Sequence, residues 1–295
     1  MQYLNSVNDI FESVSKLQQK YDFIKSETIG KSLCGRKIKG LQIGSKEKMV
    51  LFACAFHGME WLTSLVVLRF LDTLGGLIYN REDICGINIF KCLEDRGLYV
   101  IPCVNPDGVE ISLKGSTAAK DFQHVVEGAS EGKTFDWQAN ARGVDINHNF
   151  DANWEKLHKL EKSNNISGPA KTRYGGKYPE SEPETRAVTK LCRSKNFDYA
   201  IAFHSQGEEI YWKYGDKVPN NSETLARILA LTSDYVLSSP EGLAQGGGFK
   251  DWFITEFNKP AFTIEIGKGK NPLSSSFLND IYNRLLKMML LAVLI

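Results

Sequence analysis

The sequence lacks several features that mark particular classes of protein. It has no internal repeat and no low-complexity linker, which argues against a repeat array or a string of tethered domains. Its 36 Lys and Arg residues nearly balance 35 Asp and Glu residues, and no basic stripe is interleaved with aromatics, so nucleic acid is not an expected partner. The apolar run at residues 285–295 is shorter than the ~20 residues that span a bilayer. We therefore expect no membrane span there, but a terminal helix packed on a sheet.

Cysteine is scarce and shows no metal-binding spacing. There are six cysteines and no C-x-x-C pair. The first residues show no cationic segment followed by an apolar stretch, so no signal peptide is visible. Together these features favour reduced thiols in a cytoplasmic protein. Cys54 and Cys103 lie within apolar, strand-like runs, where a free thiol behaves as a small apolar group.

Apolar runs and helical periodicity alternate along the chain. With 295 residues, of which 42% are hydrophobic, the chain can bury a large core, and we predict a single domain over residues 1–295. Segments 7–21 and 60–79 have the apolar spacing of helices. Buried strands are predicted at residues 49–53, 98–104, 199–204 and 261–267. The alternation predicts an α/β fold with a mixed, mostly parallel twisted sheet flanked by helices.

Other segments have weaker patterns. Residues 38–44 alternate like an edge strand. Residues 112–135 and 155–179 are polar and irregular, which predicts excursions over the surface. The stretch 181–184 predicts the start of a helix, with Ser181 as its cap and Pro183 in the first turn.

His57 and Glu60 form the most informative pair in the sequence. They lie three residues apart, just after the apolar run 49–53, where a strand gives way to a helix. An imidazole and a carboxylate presented together at such a place are two of the three protein ligands that a catalytic zinc needs. The pattern H-x-x-E also occurs by chance in many chains, so the pair needs support from the rest of the sequence.

Two further polar residues belong to apolar runs. His204 ends the run 199–204, and Glu265 lies in the run 261–267. A lone histidine after an apolar run is more often a satisfied core or loop residue than a metal ligand. A buried glutamate requires an ion pair or a role such as general base. Polar groups at the ends of three apolar strands are what an open α/β sheet uses to build a site along one edge.

These residues belong to six blocks that occur in the order found in one known family. The chain resembles the zinc carboxypeptidases of the carboxypeptidase A-like family over roughly residues 30–270. Stretches 204–212 and 265–272 are most similar to bacterial γ-D-glutamyl-L-diamino-acid peptidases, which cut the stem peptide of peptidoglycan. The blocks are His57-Gly58-Met59-Glu60, Asn105-Pro106-Asp107-Gly108, Arg142-Gly143-Val144-Asp145-Ile146-Asn147, Ser181-Glu182-Pro183-Glu184-Thr185, His204-Ser205-Gln206-Gly207 and Thr263-Ile264-Glu265-Ile266-Gly267.

The resemblance implies a catalytic zinc site. It implies His57, Glu60 and His204 as the protein ligands of one Zn²⁺ per chain, with the fourth position left to water. Bound zinc makes water acidic enough to act as a nucleophile near neutral pH. Glu265 matches the general base of the family, which accepts a proton from that water and delivers it to the leaving nitrogen. The alternative for Glu265 is a structural ion pair with Lys268 or Lys270.

Two residues of the third block also match functional positions. The family's equivalent of Asp145 accepts a hydrogen bond from the first histidine ligand, which fixes the tautomer of that ring. Asn147 matches the asparagine that hydrogen-bonds a substrate carboxylate. The alternative for Asn147 is that it caps a turn.

The sequence departs from the family pattern at three positions around the site. His148 stands where exopeptidases of the family place an arginine, and a histidine cannot form the same two-pronged clamp on a carboxylate. Gln138, nine residues before Asn147, stands where an arginine or lysine stabilises the oxyanion. Arg142 is a candidate substitute for that charge, or else a surface residue. Leu243 falls where classical carboxypeptidases have a mobile, substrate-binding tyrosine.

Lys250 aligns with the specificity position at the base of the pocket for the leaving residue. A buried ammonium needs a carboxylate partner, and diaminopimelate carries a second carboxylate on its side chain. The alternative is that Lys250 points to solvent from the glycine-rich segment 246–248.

The leading hypothesis is therefore a cytoplasmic zinc peptidase that hydrolyses γ-D-glutamyl-diamino-acid bonds in muropeptides, in wall recycling or sporulation. One alternative is a general zinc carboxypeptidase, against which His148 and Leu243 argue. Another is a catalytically weakened zinc-binding protein that recognises wall peptides, against which the retained Glu265 argues. The expected partner is a peptide or muropeptide substrate, and the sequence does not predict an oligomeric state.

Overall fold

The apolar runs of the sequence form the centre of one large sheet. The structure, a computed structural model, describes residues 3–84 and 86–295. Within these residues eight strands form a mixed sheet in the order β1-β2-β6-β3-β7-β10-β8-β9, and β4 and β5 form a separate two-stranded ribbon. The strands are β1 (Lys25–Lys31), β2 (Lys37–Gly44), β3 (Lys48–Cys54), β4 (Asp83–Ile84), β5 (Ile87–Asn88), β6 (Arg96–Ile101), β7 (Phe197–His204), β8 (Glu209–Tyr211), β9 (Val236–Ser238) and β10 (Ala261–Glu265).

Helices cover both faces of the sheet. Alternate residues of β3 enter different cores: Phe52 packs with α1, α2, α8 and α10, whereas Leu51 packs with α7 and α9. Burial on both faces explains why the central strands are continuously apolar rather than alternating. The helices are α1 (Val7–Lys20), α2 (Leu62–Tyr79), α3 (Ile89–Asp95), α4 (Pro106–Lys114), α5 (Gln123–Ser130), α6 (Trp154–Ser163), α7 (Pro183–Ser194), α8 (Ser222–Ser233), α9 (Phe249–Phe257) and α10 (Leu278–Leu294).

Parallel pairing brings three strand ends to one edge of the sheet. Strand β7 pairs in parallel with β3 on one side and with β10 on the other. Glu265, the last residue of β10, lies directly opposite His204, the last residue of β7. The predicted mixed, mostly parallel sheet is confirmed, and its carboxyl edge carries the polar residues that the sequence placed at strand ends.

One helical stretch has the length and composition of a membrane span. Among the described residues this is Gly58–Tyr79, and 67% of its most apolar window is buried inside the fold. It packs between the sheet and α10 as a core helix. Of the six cysteines, the five that the structure describes carry free thiols, and Cys85 lies outside the described residues.

Four local predictions were wrong. Residues 38–44 do not form an edge, because β2 pairs with β1 as well as β6. Its partner β1 was not predicted at all, because that strand is polar and largely exposed and contains no apolar run. The polar segments 112–135 and 155–179 contain α5 and α6, which are amphipathic and bury only one narrow face. Glu182 rather than Ser181 occupies the N-cap position of α7 and makes no side-chain capping hydrogen bond, although Pro183 does open the first turn.

Candidate active site

Three side chains that could hold a metal ion meet at the carboxyl edge of the sheet. His57 follows β3, Glu60 lies in the short 3₁₀ turn Gly58–Glu60 that follows it, and His204 ends β7. Nδ1 of His57 lies 2.8 Å from Oε1 of Glu60, and Nδ1 of His204 lies 2.9 Å from Oε2 of the same carboxylate. One ligand atom from each residue lies within 4.8 Å of the others. Two imidazole nitrogens and a carboxylate form the donor set of a catalytic zinc site, so these residues fit the metal.

A close approach of two backbones holds His57 and Glu60 in place. A Cβ atom at Gly58 would lie 2.2 Å from the carbonyl oxygen of Gly108, so only glycine fits between the two ligands. Asn105 stabilises the same contact, because its side-chain amide donates hydrogen bonds to the backbone carbonyls of Phe56 and Gln138 at 3.0 and 3.1 Å. The sequence blocks that contain Gly58 and Gly108 are thus packed directly against each other.

Asp145 fixes the orientation of the first histidine. Nε2 of His57 donates to Oδ1 of Asp145 at 3.0 Å, which leaves Nδ1 facing the metal position. The other carboxylate oxygen of Asp145 accepts the backbone N–H of Arg173 at 2.9 Å. The structure therefore shows the contact that the sequence predicted for Asp145, together with a second anchor that the sequence did not reveal.

Charges within the ligand cluster shift the pKa values of His57 and Glu60. Burial opposes charge on His57, but the charges of Glu60 and Asp145 outweigh it and hold the pKa of His57 well above its ordinary value. Burial alone would raise the pKa of Glu60, yet the two neighbouring histidines lower it to about 2. The Glu60 carboxylate is therefore ionised at neutral pH, as a metal ligand has to be.

Glu265 lies beside the ligands and has a different environment. It lines the same cavity as His57, Glu60 and His204. Burial and the neighbouring negative charge of Glu60 raise the pKa of Glu265 well above its ordinary value. A carboxyl group with raised proton affinity in a cavity is suited to accept and release a proton, but the assignment of Glu265 as general base stays a prediction. The alternative pairing is not seen for Lys268, whose ammonium contacts Glu208 instead.

The cavity above these residues has a volume of about 450 Å³, and it receives most of the predicted substrate-binding side chains. Asn147 and His148 both line it, and so does Leu243 at the tyrosine position. Oδ1 of Asn147 accepts the backbone N–H of Phe249 at 2.9 Å, which leaves the amide N–H groups of Asn147 as its remaining donors. That arrangement suits a side chain that hydrogen-bonds a carboxylate.

The structure places Gln138 in the lining of the cavity but not Arg142. Gln138 lines the cavity, and its Oε1 accepts a hydrogen bond from the hydroxyl of Thr172, so its amide N–H groups remain available as donors. Arg142 is not among the residues that line the cavity. Its Nε lies 3.7 Å from Oε2 of the buried Glu182, and its guanidinium lies over the ring of Phe122. Arg142 therefore lies outside the described cavity lining, and its assignment as a substrate-binding residue stays a prediction.

The sequence analysis missed two cations that do line the cavity. Lys171 and Arg173 lie on the segment 155–179, which was predicted to be a surface excursion. The backbone carbonyl of Lys171 accepts N–H groups from Gln138 and Ala139, both at 3.1 Å, which ties the segment to the site. Lys171 pairs with Asp136 at 2.8 Å, whereas the guanidinium of Arg173 has no partner among the described residues. No local sequence signal identifies Arg173, because its place depends on the hydrogen bond from its backbone N–H to Asp145, which lies 28 residues earlier in the sequence.

Lys250 lies in the cavity wall rather than in solvent. Its side chain is only 5% exposed, and its ammonium pairs with the carboxylate of Asp251. The ammonium also donates to the backbone carbonyl of Lys213 at 2.7 Å. An ammonium has three N–H donors, so one remains for a ligand in the cavity.

Comparison with known sequences decides the family. A sequence profile described as zinc carboxypeptidase matches residues 10–287, which is nearly the whole chain. The chain belongs to the zinc carboxypeptidase family. The membership predicted from the six ordered blocks is thereby confirmed, and so are the zinc metallopeptidase activity and the zinc cofactor that it implied. When bound, zinc would supply a Lewis acid beside Glu265, able to acidify water and polarise a carbonyl group.

Relatives of this zinc carboxypeptidase come from bacteria and animals. The chain is 34% identical over 96% of its length to γ-D-glutamyl-L-diamino acid endopeptidase 1 of Lysinibacillus sphaericus, and covers 70% of that protein. It is 27% identical over 80% of its length to human mast cell carboxypeptidase A, and covers 53% of that protein.

Solved structures share the fold. Bovine thrombin-activatable fibrinolysis inhibitor, solved with a tick carboxypeptidase inhibitor, has a TM-score of 0.77 and 24% identity, with 99% of this chain and 97% of that chain covered. Murein-tripeptide amidase MpaA of Escherichia coli has a TM-score of 0.55 and 23% identity, with 90% and 91% covered. At these identities the likeness establishes the architecture and nothing finer.

Proposed function

We propose that this zinc peptidase hydrolyses the bond between a γ-D-glutamyl residue and a diamino acid in peptidoglycan stem peptides. The relative from Lysinibacillus sphaericus carries the name of that activity. The observation that carries the proposal in this chain is the pair of opposite charges, Lys250 and Asp251, in the wall of the cavity.

The charge pair suits the side chain of diaminopimelate. That side chain ends in a carboxylate and an ammonium on one carbon, so it needs a cation and an anion close together. The third N–H of the Lys250 ammonium is available for the carboxylate. Asp251 carries the opposite charge; one of its oxygens contacts the Lys250 ammonium and the other accepts the backbone N–H of Gly246 at 2.8 Å. Lysine has an ammonium but no carboxylate at this place, so it would satisfy only half of the pair.

The remaining residues then divide the reaction between them. Asn147 and His148 face the leaving residue, and the amide of Gln138 supplies a neutral donor where charge develops on the scissile carbonyl. Glu265 takes a proton from the attacking water and passes it to the leaving nitrogen. The neutral Gln138 stabilises that charge less than a cation would. Among the lysine and arginine side chains of the described cavity lining, that of Arg173 has no ionic partner.

We further propose that the enzyme acts in the cytoplasm, on muropeptides released during wall recycling or sporulation. The five described cysteines carry free thiols, as is usual in a reducing compartment. Fractionation of cells that produce the protein tests this proposal. Recovery with a cytoplasmic marker supports it, and recovery with secreted or wall-associated proteins contradicts it.

Four kinetic measurements test the assignment of the substrate. Native protein and the Lys250→Ala variant are each given a γ-D-glutamyl-diaminopimelate peptide and the matching γ-D-glutamyl-lysine peptide. A charge-assisted hydrogen bond contributes ~1.5–3 kcal/mol, so kcat/KM of the variant for the diaminopimelate peptide should fall by roughly one to two orders of magnitude. The lysine peptide should be cut poorly by the native enzyme and should be little affected by the substitution.

Lys213→Ala is the matched control, because it removes a neighbouring ammonium but keeps the backbone carbonyl that Lys250 contacts. It should leave the preference between the two peptides unchanged. Equal losses on both peptides in Lys250→Ala would show that Lys250 supports the fold and does not read the substrate. Efficient removal of ordinary α-linked C-terminal residues, with no cleavage of either γ-linked peptide, would identify a general carboxypeptidase instead.

A further inference from the structure

A cation without a partner lines the wall of the cavity. Arg173 is one of the lining residues, and its guanidinium makes no hydrogen bond or ion pair within the described part of the chain. Lys171, in the same lining, is already paired with Asp136. Lys250 is paired with Asp251. The side chain of Arg173 is exposed, and a guanidinium with free N–H groups in a substrate cavity is suited to bind a carboxylate through two parallel hydrogen bonds.

The backbone of Arg173 is held in a conformation that arginine rarely adopts. Its φ angle is 65°, in the left-handed region that favours glycine. Two hydrogen bonds with Asp145 hold the chain there. The backbone N–H of Arg173 donates to Oδ2 of Asp145 at 2.9 Å, and the backbone N–H of Asp145 donates to the carbonyl of Tyr174 at 2.8 Å. Because glycine would fit this turn with less strain, the presence of an arginine beside the cavity points to a role for its side chain.

The sheet order places Arg173 and Lys250 on different sides of the cavity. The strands around the site follow the order β3-β7-β10-β8, and the two histidine ligands follow β3 and end β7. Arg173 belongs to the β3 side, because its neighbour Thr172 donates to the side chain of Gln138. The carbonyl of Gln138 in turn accepts the N–H of Gly58, just after β3, at 3.0 Å. Lys250 belongs to the β8 side, because its ammonium donates to a backbone carbonyl just beyond β8.

The acyl residue of the proposed substrate carries a free carboxylate. When D-glutamate is joined through its γ-carbonyl, its α-carboxylate remains free on the acyl side of the scissile bond. If the leaving residue lies against Lys250 and Asp251, the acyl residue extends toward the β3 side of the cavity. The unpaired guanidinium of Arg173 lies on that side.

We propose that Arg173 is a specificity residue that binds the free α-carboxylate of the γ-linked D-glutamyl residue on the acyl side of the scissile bond. Asp145 holds the backbone of Arg173 and also orients the metal ligand His57, so one carboxylate positions both groups. The identity of the acyl residue rests on the proposed function, whereas the existence of a carboxylate site on the acyl side does not.

The test compares peptides that differ only in the acyl-side carboxylate. The zinc-loaded native protein is given alanyl-γ-D-glutamyl-diaminopimelate with the α-carboxylate of its glutamyl residue either free or converted to the amide. A second, α-linked series compares a glutamyl with a glutaminyl residue before the same leaving residue. Because the two carboxyl groups of glutamate stand at the ends of one carbon chain, the free carboxylate lies the same number of bonds from the scissile carbonyl in both linkages.

The native protein should prefer the acid over the amide in each series. We expect kcat/KM to favour the acid by about tenfold, mainly through KM, because the guanidinium is exposed and the bond is at the weak end of charge-assisted bonds. The preference should not change between about pH 6 and pH 9, since the guanidinium and the carboxylate both keep their charges over that range.

Three substitutions and a control test the side chain. Arg173→Gln should bring the ratio of acid to amide close to one by lowering kcat/KM for the acid alone. Arg173→Lys should keep part of the preference, because the charge remains but the two-pronged geometry is lost. Lys177→Gln is the matched control, since Lys177 is exposed on the same segment and is not part of the described cavity lining, and it should leave the ratio unchanged.

Arg173→Gly separates substrate binding from support of the fold. Glycine removes the side chain but suits the left-handed backbone, so the denaturant midpoint of unfolding should stay the same or rise. The ratio of acid to amide should nevertheless fall to that of Arg173→Gln. A lower midpoint together with an unchanged ratio would give Arg173 a structural role and overturn the inference.

The inference and the proposed function fail in different ways. The inference is overturned if the native protein shows no preference for the acid in the γ-linked series, or if Arg173→Gln loses the same factor on acid and amide. The proposed function fails if the γ-linked series is not cleaved, and the α-linked series then decides the inference by the same ratios. If neither series is cleaved, calorimetric binding of the same peptides to the zinc-loaded protein gives the ratio, and equal affinities for acid and amide overturn the inference.

Discussion

Nε2 of His57 donates to Oδ1 of Asp145 at 3.0 Å, and this one contact sets the direction of the metal ligand. The same oxygen accepts the backbone N–H of Asn147 at 3.0 Å, so Asp145 is held on the turn that also carries the cavity-lining Asn147 and His148. The metal ligands and this side of the cavity therefore share one anchor.

Asp145→Asn should weaken zinc binding without removing a ligand. The substituted amide can still contact His57, but it lacks the charge that raises the basicity of the ring. Loss of such a partner typically costs 10–100-fold in metal affinity, and competition with a chelator measures it. Asp151→Asn, at a nearby exposed carboxylate, is the control and should have native affinity. Native affinity in Asp145→Asn would contradict the role given to the contact.

Removal of either histidine ligand should abolish tight zinc binding. Metal analysis of purified His57→Ala and His204→Ala proteins should show strongly reduced zinc, because two protein ligands cannot hold a catalytic zinc. His124→Ala is the control, since His124 is exposed on α5 and is not a member of the ligand cluster. Full zinc occupancy in both ligand variants would refute the site.

Glu265→Gln should separate metal binding from turnover. The amide keeps the shape of the side chain but cannot accept a proton, so the variant should retain zinc and lose ~10²–10⁴-fold in kcat. Glu209→Gln is the matched control, because Glu209 lies opposite Glu265 on the neighbouring strand. Near-native kcat in a zinc-loaded Glu265→Gln protein would rule out the general-base role.

Glu184 should make the protein less stable as pH rises. Its carboxyl group is fully buried, and burial together with the charge of Asp107 raises its pKa to about 8, from 4.5. The folded state thus binds this proton more tightly than the unfolded state, so the stabilising effect is complete below pH 4.5 and is lost as pH rises toward about 8.

The Glu184→Gln variant tests this dependence. Its free energy of unfolding, measured by denaturant titration across that pH window, should fall less steeply with pH than that of the native protein. Glu155→Gln, at an exposed position, should leave the slope unchanged. Identical slopes for native protein and Glu184→Gln would show that Glu184 does not carry the effect.

The sequence alone was sufficient to predict the residues of the site that lie at the ends of strands. His57, His204 and Glu265 each follow or end an apolar run, and the parallel order of β3, β7 and β10 brings those ends together. Gly58 was recognisable as part of a block, but its physical reason, the contact with Gly108, needs the structure.

The parts that the sequence could not supply depend on contacts between distant segments. Glu161, whose buried carboxylate contacts the cavity-lining His148, lies on the polar helix α6, and its signal in the sequence is the amphipathic spacing of Trp154, Leu157 and Glu161. Arg173 reaches the cavity because its backbone binds Asp145. The resemblance predicted Lys250 in the cavity, but its pairing with Asp251, on which the proposed substrate rests, is visible only in the structure.

The most direct test of the account is mass spectrometry of the products from alanyl-γ-D-glutamyl-diaminopimelate, incubated with the zinc-loaded native protein and, in parallel, with Glu265→Gln. The account predicts free diaminopimelate and the alanyl-glutamate dipeptide from the native protein, and little of either from the variant. An intact peptide, a cut at another bond, or equal product from the native protein and Glu265→Gln would contradict it.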